Sequence, residues 1–208
     1  DQRLRHPERP LGLAIGRTME PIYAALARQV ANLAQPERQR LRSQWRSFNL
    51  DEYVGLAPAD PRCFKATMGQ QLIEPLGLAP ETVRLPRSDP EDPDQEARRY
   101  AAELKAAGGQ DLQLLGLGLN GHVGFNEPPC GPEVGCRCVN LSPSTRRANA
   151  ETFAGEAEAV PERAITLGLR DILAASRILL VVTGAKKAGI LRRLLLEPAG
   201  PWLPASWL

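Results

Sequence analysis

Histidine is nearly absent from this 208-residue chain, which has only His6 and His122. Aromatic residues are scarce at 5%, and charge is almost balanced at a formal +2. That balance removes the basic footprint expected of a binder of nucleic acid or of an anionic membrane. No apolar run reaches the ~18 residues of a membrane span. The opening stretch DQRLRHPERP is polar and reads as no signal peptide. It lacks an initiator methionine, so a processed chain or a fragment is expected. Cysteine is limited to Cys63, Cys130, Cys136 and Cys138. The last three crowd into CGPEVGCRC, yet no C-x-x-C pair or neighbouring histidine completes a tetrahedral set, and no metal is expected. Reduced thiols and a cytoplasmic location are the reading that follows.

What is present is alternation. LGLAIG (Leu11 to Gly16) is an apolar run ending in glycine, as a buried parallel strand reads. Ile22, Leu26, Val30 and Leu33 then share one helical face. QWRSFNLDEY reads as a second strand running into polar residues, and CFKATMGQQLIEPL as a helix with Pro75 near its end. After the acidic, proline-rich LPRSDPEDPDQ, a helix is expected from Gln95 to Ala107, stopped by Gly108 and Gly109. LQLLGLGL is the most apolar strand, and GHVGFNEPP is the loop after it. Cys130 to Phe153 is ambiguous, with a helix in its latter half capped by Ser142 or Ser144. AITLGL and RILLVVTG read as two further strands. KKAGILRRLLLE reads as a helix with Ile190, Leu191, Leu194 and Leu195 on one face. The expected architecture is one α/β domain over residues 1–208, a mostly parallel sheet with helices on both faces, Rossmann-like. Ligands of such sheets sit beyond the carboxyl ends of the strands, so the loops after the apolar runs should carry the chemistry.

Four such loops stand out. Gly16, Arg17 and Thr18 join the first strand to its helix, where backbone N–H groups can approach an anion. Asp51 and Glu52 are expected at a strand end. Neighbouring side chains of an extended chain point to opposite sides, so only one can face a ligand; a helix cap or a solvated acid pair is the alternative. Glu127 lies five residues after His122, and a loop that turns back would let it hydrogen-bond the imidazole, with Asn120 orienting either partner. Lys186 or Lys187 opens a helix against the dipole, which suits an anionic ligand.

Together these segments resemble the glucosamine-6-phosphate deaminases, relatives of the 6-phosphogluconolactonases. GLAIGRTMEPIY, FNLDEYVG, LGLGLNGHVGFNEP, TRRANAETF, AITLGLRDIL and VVTGAKKAG carry the resemblance, in order and over nearly the whole chain. A lactonase would show Asp-Glu-Arg and Leu-Phe-Pro blocks. Here Asp51-Glu52-Tyr53 and Phe125-Asn126-Glu127-Pro128 stand instead. The resemblance implies conversion of glucosamine 6-phosphate to fructose 6-phosphate and ammonia, with no cofactor and no metal. It implies that His122 opens the sugar ring, supported by Glu127 and Asn120, and that Asp51 moves a proton from C2 to C1. Lys187 matches the family's phosphate lysine.

The phosphate end departs from the pattern. The family's Thr-Gly-Ser-Thr loop reads Ile15-Gly16-Arg17-Thr18 here, and its phosphate arginine is replaced by Glu151. A carboxylate there repels a dianion. The paired change implies that Arg17 has taken over the phosphate, with Glu151 steering it as an ion pair. A sugar-phosphate sensor, or an isomerase for another phosphosugar, is the competing reading. Some members are switched by an acetylated sugar phosphate at subunit contacts. Of those residues only Arg137 is kept, the other positions holding Cys130, Val139 and Asn140, so no such control is expected. Monomer and homo-oligomer both stay open. The family normally has a further strand and helix before LGLAIG and a strand after PASWL, a second reason to expect a fragment.

Overall fold

A computed structural model describes residues 9–208. His6 and most of the polar opening stretch lie outside the described residues. The expected α/β architecture is present. β1 (Leu11–Leu13) is wholly buried, and its apolar run explains its central place. It pairs in parallel with β2 (Ser47–Asn49) on one side and β5 (Leu112–Gly116) on the other. β4 (Val83–Arg84) and β8 (Arg177–Val181) flank them, giving the order β4-β2-β1-β5-β8, all parallel.

Helices fill the crossovers. α1 (Glu20–Ala31) begins with proline in its first turn, where the missing N–H costs nothing. It buries Tyr23 and Val30, with Ile22, Leu26 and Leu33 packed against the same core. α2 (Gln35–Ser43) leads back to β2. α3 (Phe64–Met68) continues through a π-helical turn (Gly69–Ile73) into a last turn (Glu74–Leu76). α4 (Pro93–Ala106) starts two residues earlier than the periodicity suggests, because Asp92 caps it by accepting from the N–H groups of Asp94 and Gln95.

The sequence reading left out α2 and β4, and two of the elements it did read differ. QWRSFNLDEY is not one strand. It breaks at Leu50, and β3 (Asp51–Val54) belongs to a second, antiparallel sheet ordered β3-β7-β6. β7 is Arg163–Thr166, the expected AITLGL strand, and β6 is Arg137–Asn140, inside the ambiguous segment. Leu50 is the seam between the sheets. Its N–H donates to Leu13 O and its carbonyl accepts from Leu167 N, both at 2.8 Å. α5 (Pro143–Asn149) is capped by Ser142, and α6 (Leu169–Leu173) leads from β7 to β8. The second difference lies in α7 (Ala188–Leu196). Ile190 is buried as expected, but Leu195 is 74% exposed. α7 follows the outermost strand and rests on the C-terminal turn Pro204–Trp207, so one side of it finds no partner among the described residues.

The main core lies around the parallel sheet. A separate aromatic cluster binds the second sheet to its surroundings. Three of the four phenylalanines of the chain, Phe64, Phe125 and Phe153, gather around Tyr53. Tyr53 and Phe64 have ring centroids 4.5 Å apart, and Phe64 stacks on Phe125 at 6.2 Å. Such pairs add about 0.5–1.5 kcal/mol each beyond area burial. Tyr53 is two residues from Asp51 and Phe125 two from Glu127, so this cluster fixes those two carboxylates relative to each other.

Candidate active site

The loop after β5 is folded tightly on itself. Gly118 N donates to His122 O at 2.8 Å, and Gly121 N to Gly118 O at 3.1 Å. Asn120 Oδ1 accepts from the backbone N–H of His122 at 3.2 Å, so Asn120 shapes the turn and does not hold the ring. The imidazole lies against Gly118. A Cβ on that residue would stand 2.4 Å from three atoms of the ring, closer than real contacts allow. Gly118 was not singled out from the sequence; a glycine closing a five-residue turn around a histidine is the signal that points to it.

Asn126 pins the far side of the loop. It is wholly buried, donates to Val123 O and Leu167 O, and accepts from Arg137 at 2.9 Å. The loop thereby reaches Asp51. Gly124 packs on Leu50, and Phe125 N donates to Thr166 Oγ1, while Thr166 is the register partner of Asp51 in β3 and β7. Asp51 and the His122 loop therefore share one corner, at the carboxyl ends of β1, β2 and β5.

The two acids of β3 have separate tasks. Both are buried, which excludes a solvated pair. Glu52 accepts from the N–H groups of Tyr53, Phe64 and Lys65, each at 2.9 Å, and so anchors the start of α3. Burial pushes it up to about 7 against those three donors. The carboxylate of Asp51 accepts no hydrogen bond among the described residues. Burial first, and then the charge of Glu52, push its carboxyl up to about 8. A carboxylate left unpaired at such expense has the profile of a base. Tyr23 of α1 stands close enough to feel its charge and is itself tied to Ala14 O at 2.6 Å.

The expected hydrogen bond from His122 to Glu127 is not formed. Glu127 Oε1 accepts instead from the hydroxyls of Ser142, at 3.1 Å, and Thr145. His122 Nδ1 is buried without a partner. Burial lowers the imidazole pKa; Glu127 opposes that and Lys187 adds to it. The histidine is thus neutral around pH 7, ready to accept a proton.

The cationic end lies beside it. Lys187 Nζ donates to Leu117 O at the end of the β5 run, and partial burial and the charge of Arg17 lower its pKa. Thr18 Oγ1 is 3.4 Å from Thr183 Oγ1, which joins the loops after β1 and β8. Gly16 turns that first loop with φ +132°, a conformation that favours glycine. Arg17 pairs with Glu151 at 3.5 Å, as the compensating charges suggest, and both side chains are about four-fifths exposed. Two cations and two threonines are therefore brought near one another. Cys130 touches Asn126 and Arg137 behind the His122 loop; all four cysteines are free thiols, and no group of three or more metal-ligating side chains is found among the described residues.

Residues 4–208 match the sequence profile of the glucosamine-6-phosphate isomerases/6-phosphogluconolactonases. A glucosamine-6-phosphate deaminase of Rhodopirellula baltica is 41% identical over 208 residues, which is all of this chain and 80% of that protein. Glucosamine-6-phosphate deaminase 1 of Bacillus subtilis is 37% identical over 202 residues, covering 97% of this chain and 81% of its own. Among solved structures, a monomeric glucosamine-6-phosphate deaminase superposes with a TM-score of 0.88 at 36% identity, over 96% of this chain and 80% of that one. The 6-phosphogluconolactonase of Thermotoga maritima shares the fold, with a TM-score of 0.71 at 20% identity over 100% of this chain and 84% of its own. With the profile spanning nearly every residue, this chain belongs to the glucosamine-6-phosphate isomerase/6-phosphogluconolactonase family.

Proposed function

We propose that this chain is a glucosamine-6-phosphate deaminase, which converts its substrate and water to fructose 6-phosphate and ammonia. The observation that carries this reading is the unpaired, buried Asp51 sharing a corner with His122. Neutral His122 takes the proton of the C1 hydroxyl and returns it to the ring oxygen, which opens the pyranose. Asp51 takes the C2 proton next to the new aldehyde and delivers it to C1. A proton of the amino group passes to O1 in the same step, so the product is a ketose imine; water adds at C2 and ammonia leaves. The burial of Asp51 strengthens it as a base and keeps bulk water from competing. Asn120 holds the loop, and Glu127 balances the charge on the imidazole. No cofactor enters this scheme.

Gly16, Arg17, Thr18 and Lys187 bind the phosphate in this reading. A dianion gains from the bidentate fork of arginine and the point charge of lysine together. Glu151 holds Arg17 near the site when it is empty. Among the described residues, no helix is long and apolar enough to cross a membrane. Free thiols and a phosphorylated substrate suit a cytoplasmic enzyme.

Ammonia release from glucosamine 6-phosphate tests the activity directly. Turnover is expected with it, and none with glucose 6-phosphate, which has no amine to lose. Binding without ammonia release would favour a sensor, or an isomerase for another phosphosugar, as the altered phosphate end allows. The phosphate role of Arg17 has its own test. Arg17→Ser is expected to raise KM by about 10- to 100-fold with kcat within about threefold, the signature of lost uniform binding. An unchanged KM would remove Arg17 from the site.

A further inference from the structure

The partners of Glu127 point to a function for two residues that carry none in the reaction above. Ser142 is the cap of α5, and its Oγ accepts from Thr145 N at 3.2 Å. It also lies 2.8 Å from Ser144 Oγ and 3.1 Å from Glu127 Oε1. A hydroxyl has one proton and two lone pairs. Ser142 Oγ is also 3.2 Å from Thr145 Oγ1, so its single proton has two acceptors in reach; when that proton goes to Glu127, the hydroxyl accepts from the Thr145 amide and can accept from Ser144. The Thr145 hydroxyl gives its own proton to the same oxygen, Oε1. Both donors thus fall on one oxygen of Glu127, and Oε2 receives no hydrogen bond among the described residues. Thr145 is buried, and a hydroxyl there is kept only where it has a partner.

The carboxylate of Glu127 is therefore seated on the first turn of α5, and the imidazole whose charge it balances is left with Nδ1 unpartnered. Resting on the role given to Glu127 above, we propose that Ser142 and Thr145 are positioning residues. Their hydroxyls set where the carboxylate stands relative to His122, and so the basicity and orientation of the ring that opens the sugar. The seat fixes one oxygen and leaves the other without a donor among the described residues. Without it, Glu127 is free to swing, and misplacement of a supporting group by about 1 Å can cost as much as 100-fold in rate.

Thr145→Val removes the hydroxyl, keeps the shape, and leaves the amide that Ser142 caps. It is expected to lower kcat about tenfold with KM for glucosamine 6-phosphate within about twofold and the melting temperature nearly unchanged. Thr145→Ser, which restores the hydroxyl, is expected to recover most of the rate. Glu127→Gln serves as the reference and should fall further than Thr145→Val. Native kcat in Thr145→Val, with Glu127→Gln impaired, would overturn the seat and leave the role of Glu127 standing. Native kcat in Glu127→Gln would overturn both. Equal losses in Thr145→Val and Thr145→Ser would reduce Thr145 to a packing residue and likewise overturn the proposal.

Discussion

Asp51→Asn is expected to lower kcat by about 1,000-fold while KM changes little, because the amide keeps the shape of the base and removes only its ability to take the C2 proton. Ammonia release at saturating glucosamine 6-phosphate measures it. A variant that keeps a tenth of the native kcat would dismiss Asp51 as the base. The native enzyme adds a pH signature. With Asp51 pushed up to about 8, kcat/KM should climb with pH and level off near that value, since it reports the free enzyme. The ammonium that the substrate carries at C2 favours the ionised carboxylate, so the limb in kcat should lie lower.

The same substitution has an effect on stability, opposite in sign to its effect on rate. The carboxyl holds its proton in the folded chain up to about pH 8 and in the unfolded chain only to about 3.8. Between those values the folded state binds more protons, so stability falls as pH rises and is lowest above pH 8. Full ionisation of Asp51 then costs on the order of 5 kcal/mol, at about 1.4 kcal/mol for each tenfold change. Asparagine does not pay that cost. Thermal melts should show Asp51→Asn more stable than the native protein at pH 9, with most of the gain gone at pH 4.

Gly118→Ala carries the second large effect. Its methyl would meet the edge of the His122 imidazole at 2.4 Å. Gly118 is not at a positive φ, so alanine is acceptable to its backbone and the ring must give way. Turning the ring away from the sugar should lower kcat by about 100-fold or more. Overpacking should also cost roughly 1–3 kcal/mol. The clash predicts a coupling: in a His122→Ala background, Gly118→Ala should cost almost no stability, because the methyl enters the space the ring has left. Equal destabilisation in both backgrounds would show that the imidazole is not what requires glycine there.

In the parallel sheet β1, β5 and β8 were legible as short apolar runs ending at glycine or at polar residues, and β2 as the start of QWRSFNLDEY; β4, only Val83–Arg84, is too short to leave a pattern. The place of the candidate site was legible for the same reason, since the polar residues after those runs fall at the carboxyl ends. The Arg17–Glu151 pair could be read from two compensating departures, and the side chains do meet. The second sheet was not legible. Its break rests on Leu50, which stands between Asn49 and Asp51 and reads as one more residue of the same strand, and β6 is a half-exposed RCVN with no alternating pattern. Nor was the partner of Glu127. Spacing suggested the nearby imidazole, but the carboxylate is taken by hydroxyls from a helix that begins fifteen residues further on, a pairing that only tertiary structure creates. On α7, four leucines and isoleucines promised a broad buried face. Leu195 escapes it because the helix lies at the margin of the sheet.

Because the amide and carbonyl of Leu50 are committed to different sheets, the acid that follows has no slack. A shift in either layer reaches it at once. Adapting this scaffold to a differently shaped sugar is therefore easiest at the arginine-bearing turn after β1, whose side chains are held by one exposed ion pair to Glu151 and one contact to Thr183; the far end of the ligand can be re-cut there while the corner of Asp51 and His122 stays where it is.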